Sequence, residues 1–188
     1  MNTLYPIFLK AHQLQFLVVG GGYVALEKLQ FLFKSSPKAQ VTLLAPMVRP
    51  ETLVFIQDKP VRVIQKKYHS RYLKNKNIVI AATDSEKINL KINKDCKKRN
   101  LLVNVADTPD QCDFYMGAIV TKGQLKIAIS TNGKSPTLAK RIRQWLEEIL
   151  PEEIDPLLES LRKYRKTLKG DFQNKVKAMN KITESLIP

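Results

Sequence analysis

Apolar and polar positions divide the chain into segments of different period. Gln15 to Val19 is a short apolar run that stops at Gly20-Gly21-Gly22, after which Val24, Ala25, Leu29, Leu32 and Phe33 recur at helical spacing. Gln40 to Ala45, rich in branched residues, predicts a second strand. A strand, a glycine turn, a helix and a strand in about 30 residues begin a right-handed crossover unit, hence a parallel sheet with helices on its faces. Val61 to Ile64 and Asn77 to Ala82 repeat the strand pattern, Ser85 to Arg99 reads as a helix with a polar face, and Leu101 to Val105 as a further strand. The expectation is a doubly wound parallel α/β domain over residues 1–112.

The pattern changes after Asp107. Phe114 to Val120 and Gln124 to Ser130 are two strand-like runs joined by Thr121-Lys122-Gly123, which predicts a hairpin. Ser135 then caps a helix with Pro136 at its first position, whose apolar stripe is Leu138, Ile142, Trp145, Leu146 and Ile149, and Pro151 ends it. Residues 113–150 are thus expected to form a small hairpin and helix segment. From Ile154 to Leu186 apolar residues follow one another in steps of three or four, an amphipathic helical tail over 151–188 broken near Gly170. Such a tail cannot bury its stripe against itself, so it is expected to pack on the domain or on a partner chain, and a homodimer is the expectation.

Composition narrows the classes. Hydrophobic residues make up 44% of the 188 and charged residues 26%, enough for a core and too little polar excess for disorder. No apolar run approaches the roughly 20 residues that cross a bilayer. The first 25 residues carry no basic segment ahead of an apolar stretch, so a cytoplasmic location without membrane partners is expected. Cys96 and Cys112, with His12 and His69, suit neither a disulfide framework nor a common zinc spacing, so no metal site is expected. The formal net charge of +15 is the unusual feature, and Lys59, Arg62, Lys66, Lys67, Arg71, Lys74 and Lys76 fall in a stretch without one acid. Such a field favours polyanions, whether nucleic acid, acidic lipid or a multiply carboxylated small molecule.

Gly20-x-Gly22-x-x-Ala25 sits where a Rossmann-like dinucleotide site needs it. The first glycine makes the turn, the second admits the diphosphate against the backbone, and Ala25 permits close contact between helix and sheet. The helix N-terminus offers unpaired N–H groups to phosphate. The second strand ends in Leu44-Ala45-Pro46, with no acid between Lys28 and Pro50 for a ribose diol, while Arg49 permits a 2′-phosphate; the residues leave NAD and NADP both open. Gly133-Lys134-Ser135 has Ala128 where a triphosphate-binding loop needs its first glycine, but the turn with Ser130, Thr131 and Asn132 suits a carboxylate. Asp107, just past the fifth strand, lies where open α/β sheets bind ligands and could take a proton as hydride leaves a substrate, or could merely begin a turn with Thr108-Pro109.

Taken in order, Gly20-Gly21-Gly22-Tyr23-Val24-Ala25 with Lys28, Ala81-Ala82-Thr83-Asp84 with Asn89, Asn104-Val105-Ala106-Asp107, Asp113-Phe114, Ala118-Ile119-Val120 and Ser130 to Pro136 with Leu138-Ala139 resemble the N-terminal module of the sirohaem synthase family. These are precorrin-2 dehydrogenases, some also sirohydrochlorin ferrochelatases. The resemblance implies NAD-dependent oxidation of precorrin-2, a polycarboxylated tetrapyrrole, to sirohydrochlorin, with iron insertion as a separate possible activity for which His12, His69, Asp107 and Asp113 are the candidate proton acceptors. It also implies a homodimer formed through the segment after the sheet and the helical C-terminus. A Val-Ala-Pro-like end to the second strand belongs to the family and favours NAD.

Carried over by position, Gly20, Gly21, Gly22, Tyr23, Val24, Pro46, Met47, Thr83 and Asp84 border the coenzyme. Asp107 matches the family's important aspartate, the proposed base in dehydrogenation and, in bifunctional members, a participant in metal insertion. Asn132, Gly133, Lys134 and Ser135 match the tetrapyrrole site, Ser135 being a position phosphorylated in some relatives. The chain departs from the family at Asn132, where a second glycine is usual, at Gly117, where proline is usual, and at Ser85, where a second aspartate is frequent. The rival expectation is a non-catalytic dinucleotide-sensing or nucleic-acid-binding module using the Lys59 to Lys76 run, for which Tyr68 and Tyr72 are the only stacking residues and no reading helix is visible.

Overall fold

The computed structural model describes residue 2 and residues 4–184, so the last four residues of the expected helical tail lie outside the described residues. It forms two compact units, residues 1–116 with 132–134, and residues 117–131 with 135–188.

In the first unit β1 (Gln15–Val19), β2 (Gln40–Leu44), β3 (Val61–Ile64), β4 (Ile78–Ala81) and β5 (Leu102–Val105) form one parallel sheet in the order β3-β2-β1-β4-β5. The strand period of two sends alternate side chains to opposite faces. Phe16 and Val18 of β1, Val41 and Leu43 of β2, and Ile78 and Ile80 of β4 join one core with Ala25, Leu29, Leu32 and Phe33 of helix α1 (Tyr23–Ser35). Leu17, Val19, Leu44, Val79, Ala81, Val103 and Val105 join the other with Ile92 and Cys96 of α3 (Glu86–Lys97) and with Leu73. The doubly wound sheet is therefore as expected, and its central strands are mostly apolar because both faces are covered.

Of the buried polar residues of this unit, Thr42, Asn89, Asn93 and Asn104 are hydrogen-bonded, while Thr52 Oγ1 has no partner among the described residues. Thr42 on β2 accepts Lys76 Nζ at 2.7 Å, and the partial burial that goes with this holds the Lys76 ammonium below its usual pKa. Asn104 on β5 donates through Nδ2 to Phe114 O at 2.9 Å, so the chain after β5 is pinned back onto the sheet. Helix α2 (Pro50–Ile56) was not anticipated: seven residues are too few for a periodic stripe, and Pro50 at its first position is the only strong signal.

The second unit holds an antiparallel hairpin, β6 (Ala118–Lys122) and β7 (Leu125–Ile129), followed by α4 (Pro136–Ile149), α5 (Ile154–Thr167) and α6 (Phe172–Thr183). Lys122 pairs with Leu125, so the turn is Gly123-Gln124 and not Thr121 to Gly123. Gly123 has φ +51°, the glycine-first arrangement common in two-residue hairpin loops. Residues 114–117 lie outside β6, since Phe114 and Met116 pack on the first unit's core instead. Asp155 of α5 covers the turn, accepting Gln124 N–H at 2.7 Å, and a Cβ at Gly123 would lie 2.1 Å from its Oδ2. The tail breaks at Gly170 (φ +99°), and Asp171 caps α6 by accepting Asn174 N–H at 2.8 Å. No residue of α5 or α6 is buried, and in α4 only Ala139 is.

Leu29 lies in the centre of α1 at 0% exposure. Leu29→Ala is expected to lower stability by about 2–5 kcal/mol, from lost burial plus the cavity left behind, measured by chemical denaturation. A loss below about 1 kcal/mol would mean that α1 does not hold its place on the sheet.

Candidate functional site

Chain order reverses between β1 and β4, because β2 and β3 extend the sheet on one side and β5 on the other. The helices that follow β1 and β4 diverge there and leave a crevice at the strands' carboxyl ends. Gly20 leaves β1 with φ +130°, and its N–H donates to Leu44 O at 3.0 Å. A Cβ on Gly20 would stand 2.1 Å from Ala82 O, and one on Gly21 would stand 2.2 Å from Met47 O. Both positions are therefore closed to any side chain by neighbouring backbone. Gly22 is different: it is exposed, it is the residue before α1, and a Cβ there would meet nothing within 4 Å. A side-chain-free surface at the N-terminus of a 13-residue helix is the shape a diphosphate requires, so the turn fits a dinucleotide. The packing of the middle glycine against the loop after β2 was not legible in the motif, which treats that position as free.

The other expected coenzyme residues line the same edge. Pro46 and Met47 follow β2 and are exposed. Two residues on, Arg49 N–H donates to Gly21 O at 3.0 Å. The Arg49 guanidinium lies 3.8 Å over the ring of Tyr23, donates to Tyr23 Oη at 2.7 Å and reaches Glu51 Oε1 at 3.3 Å. Glu51's carboxyl is held below its usual pKa, first by its own backbone N–H and then by Arg49. Val24 is exposed on the first turn of α1. After β4, Thr83 donates through both N–H and Oγ1 to Asn89 Oδ1 (3.2 and 2.7 Å), and Asn89 Nδ2 donates back to Thr83 O at 3.0 Å. This exchange, made by a buried asparagine of α3, fixes the loop that carries Thr83 and the exposed Asp84. Ser85 caps α3 by accepting Ile88 N–H, a task aspartate also performs, so this departure from the family is neutral in kind.

Asp107 does not begin a turn. Thr108 N–H donates to Val105 O at 3.3 Å, which makes Asp107 the third residue of a turn running Val105 to Thr108, with φ +58°. That position favours glycine. An aspartate held there costs about 1–2 kcal/mol of backbone strain, and such strain concentrates at functional positions. The loop is tied down from behind: Cys112 Sγ accepts Val105 N–H at 3.2 Å, Asp113 Oδ2 accepts Val103 N–H at 3.0 Å, and Asp113 also pairs with Lys97. Asp113 is thereby occupied in holding the loop, while Asp107 is exposed on the sheet edge.

Asn132 to Lys134 group with the first unit and Ser135 with the second. Asn132 has φ +56° and Gly133 φ +75°. Asparagine is among the residues, after glycine, that best tolerate this conformation. Ser135 Oγ accepts Leu138 N–H at 3.2 Å, and its own N–H donates to Thr131 Oγ1 at 3.1 Å. Gly117, where the family has proline, stands where a Cβ would be 2.4 Å from Ile129 O, so this hairpin has closed onto a glycine.

The remaining candidates are engaged in structure. His69 Nδ1 accepts Arg71 N–H at 3.1 Å and caps a short helical turn, Ser70–Leu73, while His12 is exposed. Tyr68 is half-buried and donates to Asp95 at 3.1 Å, and the Tyr72 ring is beneath Arg71 at 5.2 Å, so neither ring of the basic stretch is open for stacking. Burial raises both thiols, Cys96 to about 12. Among the described residues no group of three or more His, Cys, Asp and Glu could hold a metal ion, and no helix is long and apolar enough to cross a membrane.

Comparison with known proteins agrees with this geometry. Residues 7–118 match the family model described as "Putative NAD(P)-binding", and residues 122–149 match the central domain of sirohaem biosynthesis proteins. The chain is 38% identical to the siroheme synthase of Psychrobacter arcticus over 95% of its own length and 30% of that protein. It is 38% identical to the siroheme synthase of Pseudoalteromonas translucida over 92% of its length and 34% of that protein. It thus spans about a third of the curated relatives it matches. A solved structure titled "SirC, precorrin-2 dehydrogenase" superposes with a TM-score of 0.70 and 28% identity, covering 95% of this chain and 89% of that one. The open glycine turn at the switch point and the model matched over residues 7–118 lead to one statement: the chain belongs to the family described as "Putative NAD(P)-binding".

Proposed function

We propose that the protein is an NAD-dependent precorrin-2 dehydrogenase that yields sirohydrochlorin, a reading that Asp107 carries above any other observation. An aspartate in a left-handed backbone, exposed at the carboxyl edge of the sheet that bears the glycine turn, is retained against its conformational cost, and its carboxylate is its only distinctive chemistry. The two-electron oxidation transfers a hydride from the substrate and releases a proton; Asp107 accepts that proton. Gly20, Gly21, Gly22, Tyr23 and Val24 would hold the diphosphate side of the coenzyme, with Pro46, Met47, Thr83 and Asp84 bordering it. When bound, the nicotinamide supplies the hydride acceptor. Asn132, Gly133, Lys134 and Ser135 would receive substrate carboxylates, and the net charge of +15 would speed capture of a polyanion.

In this reading residues 1–112 bind coenzyme, 113–150 serve substrate and dimerisation, and 151–188 complete the dimer. Support for a homodimer comes from α4 and α6, where Trp145 is 59% exposed, Ile149 54% and Phe172 69%, an apolar surface that a monomer would leave in water.

Gly22→Val is expected to fold normally, since the space is open, and to weaken NAD binding at least about tenfold by filling the diphosphate cradle, read by calorimetric titration. Retained affinity would move the coenzyme elsewhere. Asp107→Gly relieves the backbone and should fold at least as stably as the native chain, yet both it and Asp107→Asn should lose about 100-fold or more in turnover of precorrin-2 with NAD binding intact. A native rate in Asp107→Asn would remove the carboxylate from the mechanism. The paired change Trp145→Glu with Ile149→Glu should convert a sedimenting dimer into monomer while the far-ultraviolet circular dichroism is kept; an unchanged sedimentation coefficient would exclude α4 from the interface.

A further inference from the structure

Two residues past Met47 the chain carries charged side chains that neither the glycine motif nor the family resemblance assigns. Arg49 is tied by its backbone to Gly21 O at 3.0 Å, so its side chain starts from the glycine turn itself, beside the end of β2 where dinucleotide folds seat the adenosine ribose. In folds of this type an acid there reads the ribose diol, whereas an arginine accommodates a 2′-phosphate. This chain has both in an unusual order. No acid stands from Lys28 to Pro50, and Glu51 is the first after the strand. Arg49 is not free for phosphate, because its guanidinium lies over the Tyr23 ring at 3.8 Å and its Nη2 is shared between Tyr23 Oη (2.7 Å) and Glu51 Oε1 (3.3 Å). Its Nε is buried without a partner among the described residues, a donor the protein leaves unsatisfied.

We propose that the Tyr23–Arg49–Glu51 triad selects the coenzyme: Glu51 neutralises Arg49 and repels a 2′-phosphate, so that the 2′-hydroxyl form is chosen. The choice is made by a repulsive charge as much as by an attractive contact. A 2′-phosphate seated there would bring almost two negative charges toward a carboxylate and would have to draw Arg49 away from both its partners.

This inference rests on the reading that the glycine turn binds a nicotinamide dinucleotide, and the test separates the two. NAD and NADP are titrated calorimetrically into the native chain, Glu51→Gln and the double variant Arg49→Ala with Glu51→Gln. The native chain is expected to bind NAD at least about tenfold more tightly than NADP. Glu51→Gln keeps an acceptor for Arg49 but removes the charge, and should shrink that ratio about tenfold through tighter NADP binding, with NAD affinity changed less than about threefold. The double variant should lose the gain, since Arg49 is the group that would meet the phosphate. An unchanged ratio in Glu51→Gln, or NADP preferred by the native chain, overturns the proposal while leaving the dinucleotide site standing. Failure of the native chain to bind either coenzyme overturns the dinucleotide reading, and this inference with it.

Discussion

Backbone pressed against backbone is the constraint on which the first unit depends. Gly20 faces the carbonyl of Ala82 and Gly21 that of Met47, each at a separation no Cβ could share. These two contacts draw the loops after β2 and β4 against the end of β1. Three segments far apart in the chain thus become one edge, with Gly22 left bare on its outer side. The sheet supplies the force behind this arrangement, because strands buried on both faces cannot shift register without exposing a whole apolar set. Chemistry at the edge is then a consequence of close packing beneath it.

The edge also shows how a functional surface is kept ordered while its working groups stay exposed. Asn89 holds the Thr83 loop by three hydrogen bonds, and Cys112 and Asp113 hold the loop after β5, so exposed Asp84 and Asp107 stand on rigid supports. The bonds made from buried Asn89 are effective because water does not compete for them. The surface ion pair of Arg162 with Glu159 is of another kind; it is open to solvent and contributes little to stability. Hence the strongly basic character of the chain bears on what it attracts far more than on how it folds.

The second unit is held together differently. Its hairpin is short, its helices bury almost nothing within the chain, and Asp155 rather than a core holds the turn. Trp145 and Ile149 of α4 and Phe172 of α6 are left exposed, large apolar side chains that no core of this unit takes up.

Periodicity alone determined the five strands, the three helices that follow the hairpin and the break at Gly170, because an apolar repeat reports directly which face is buried. Glycine spacing determined the place of the turn, since positive φ and absent Cβ are local demands. Helix α2, the hairpin register and the position of Asp107 within its turn were decided only in the tertiary structure: each depends on hydrogen bonds or packing between residues whose neighbours along the chain carry no trace of them. The same holds for Arg49, Tyr23 and Glu51, which meet because the loop after β2 folds onto Gly21. A sequence states what each residue is able to do, but which residues share a side of the sheet is settled by the crossover that brings β4 beside β1.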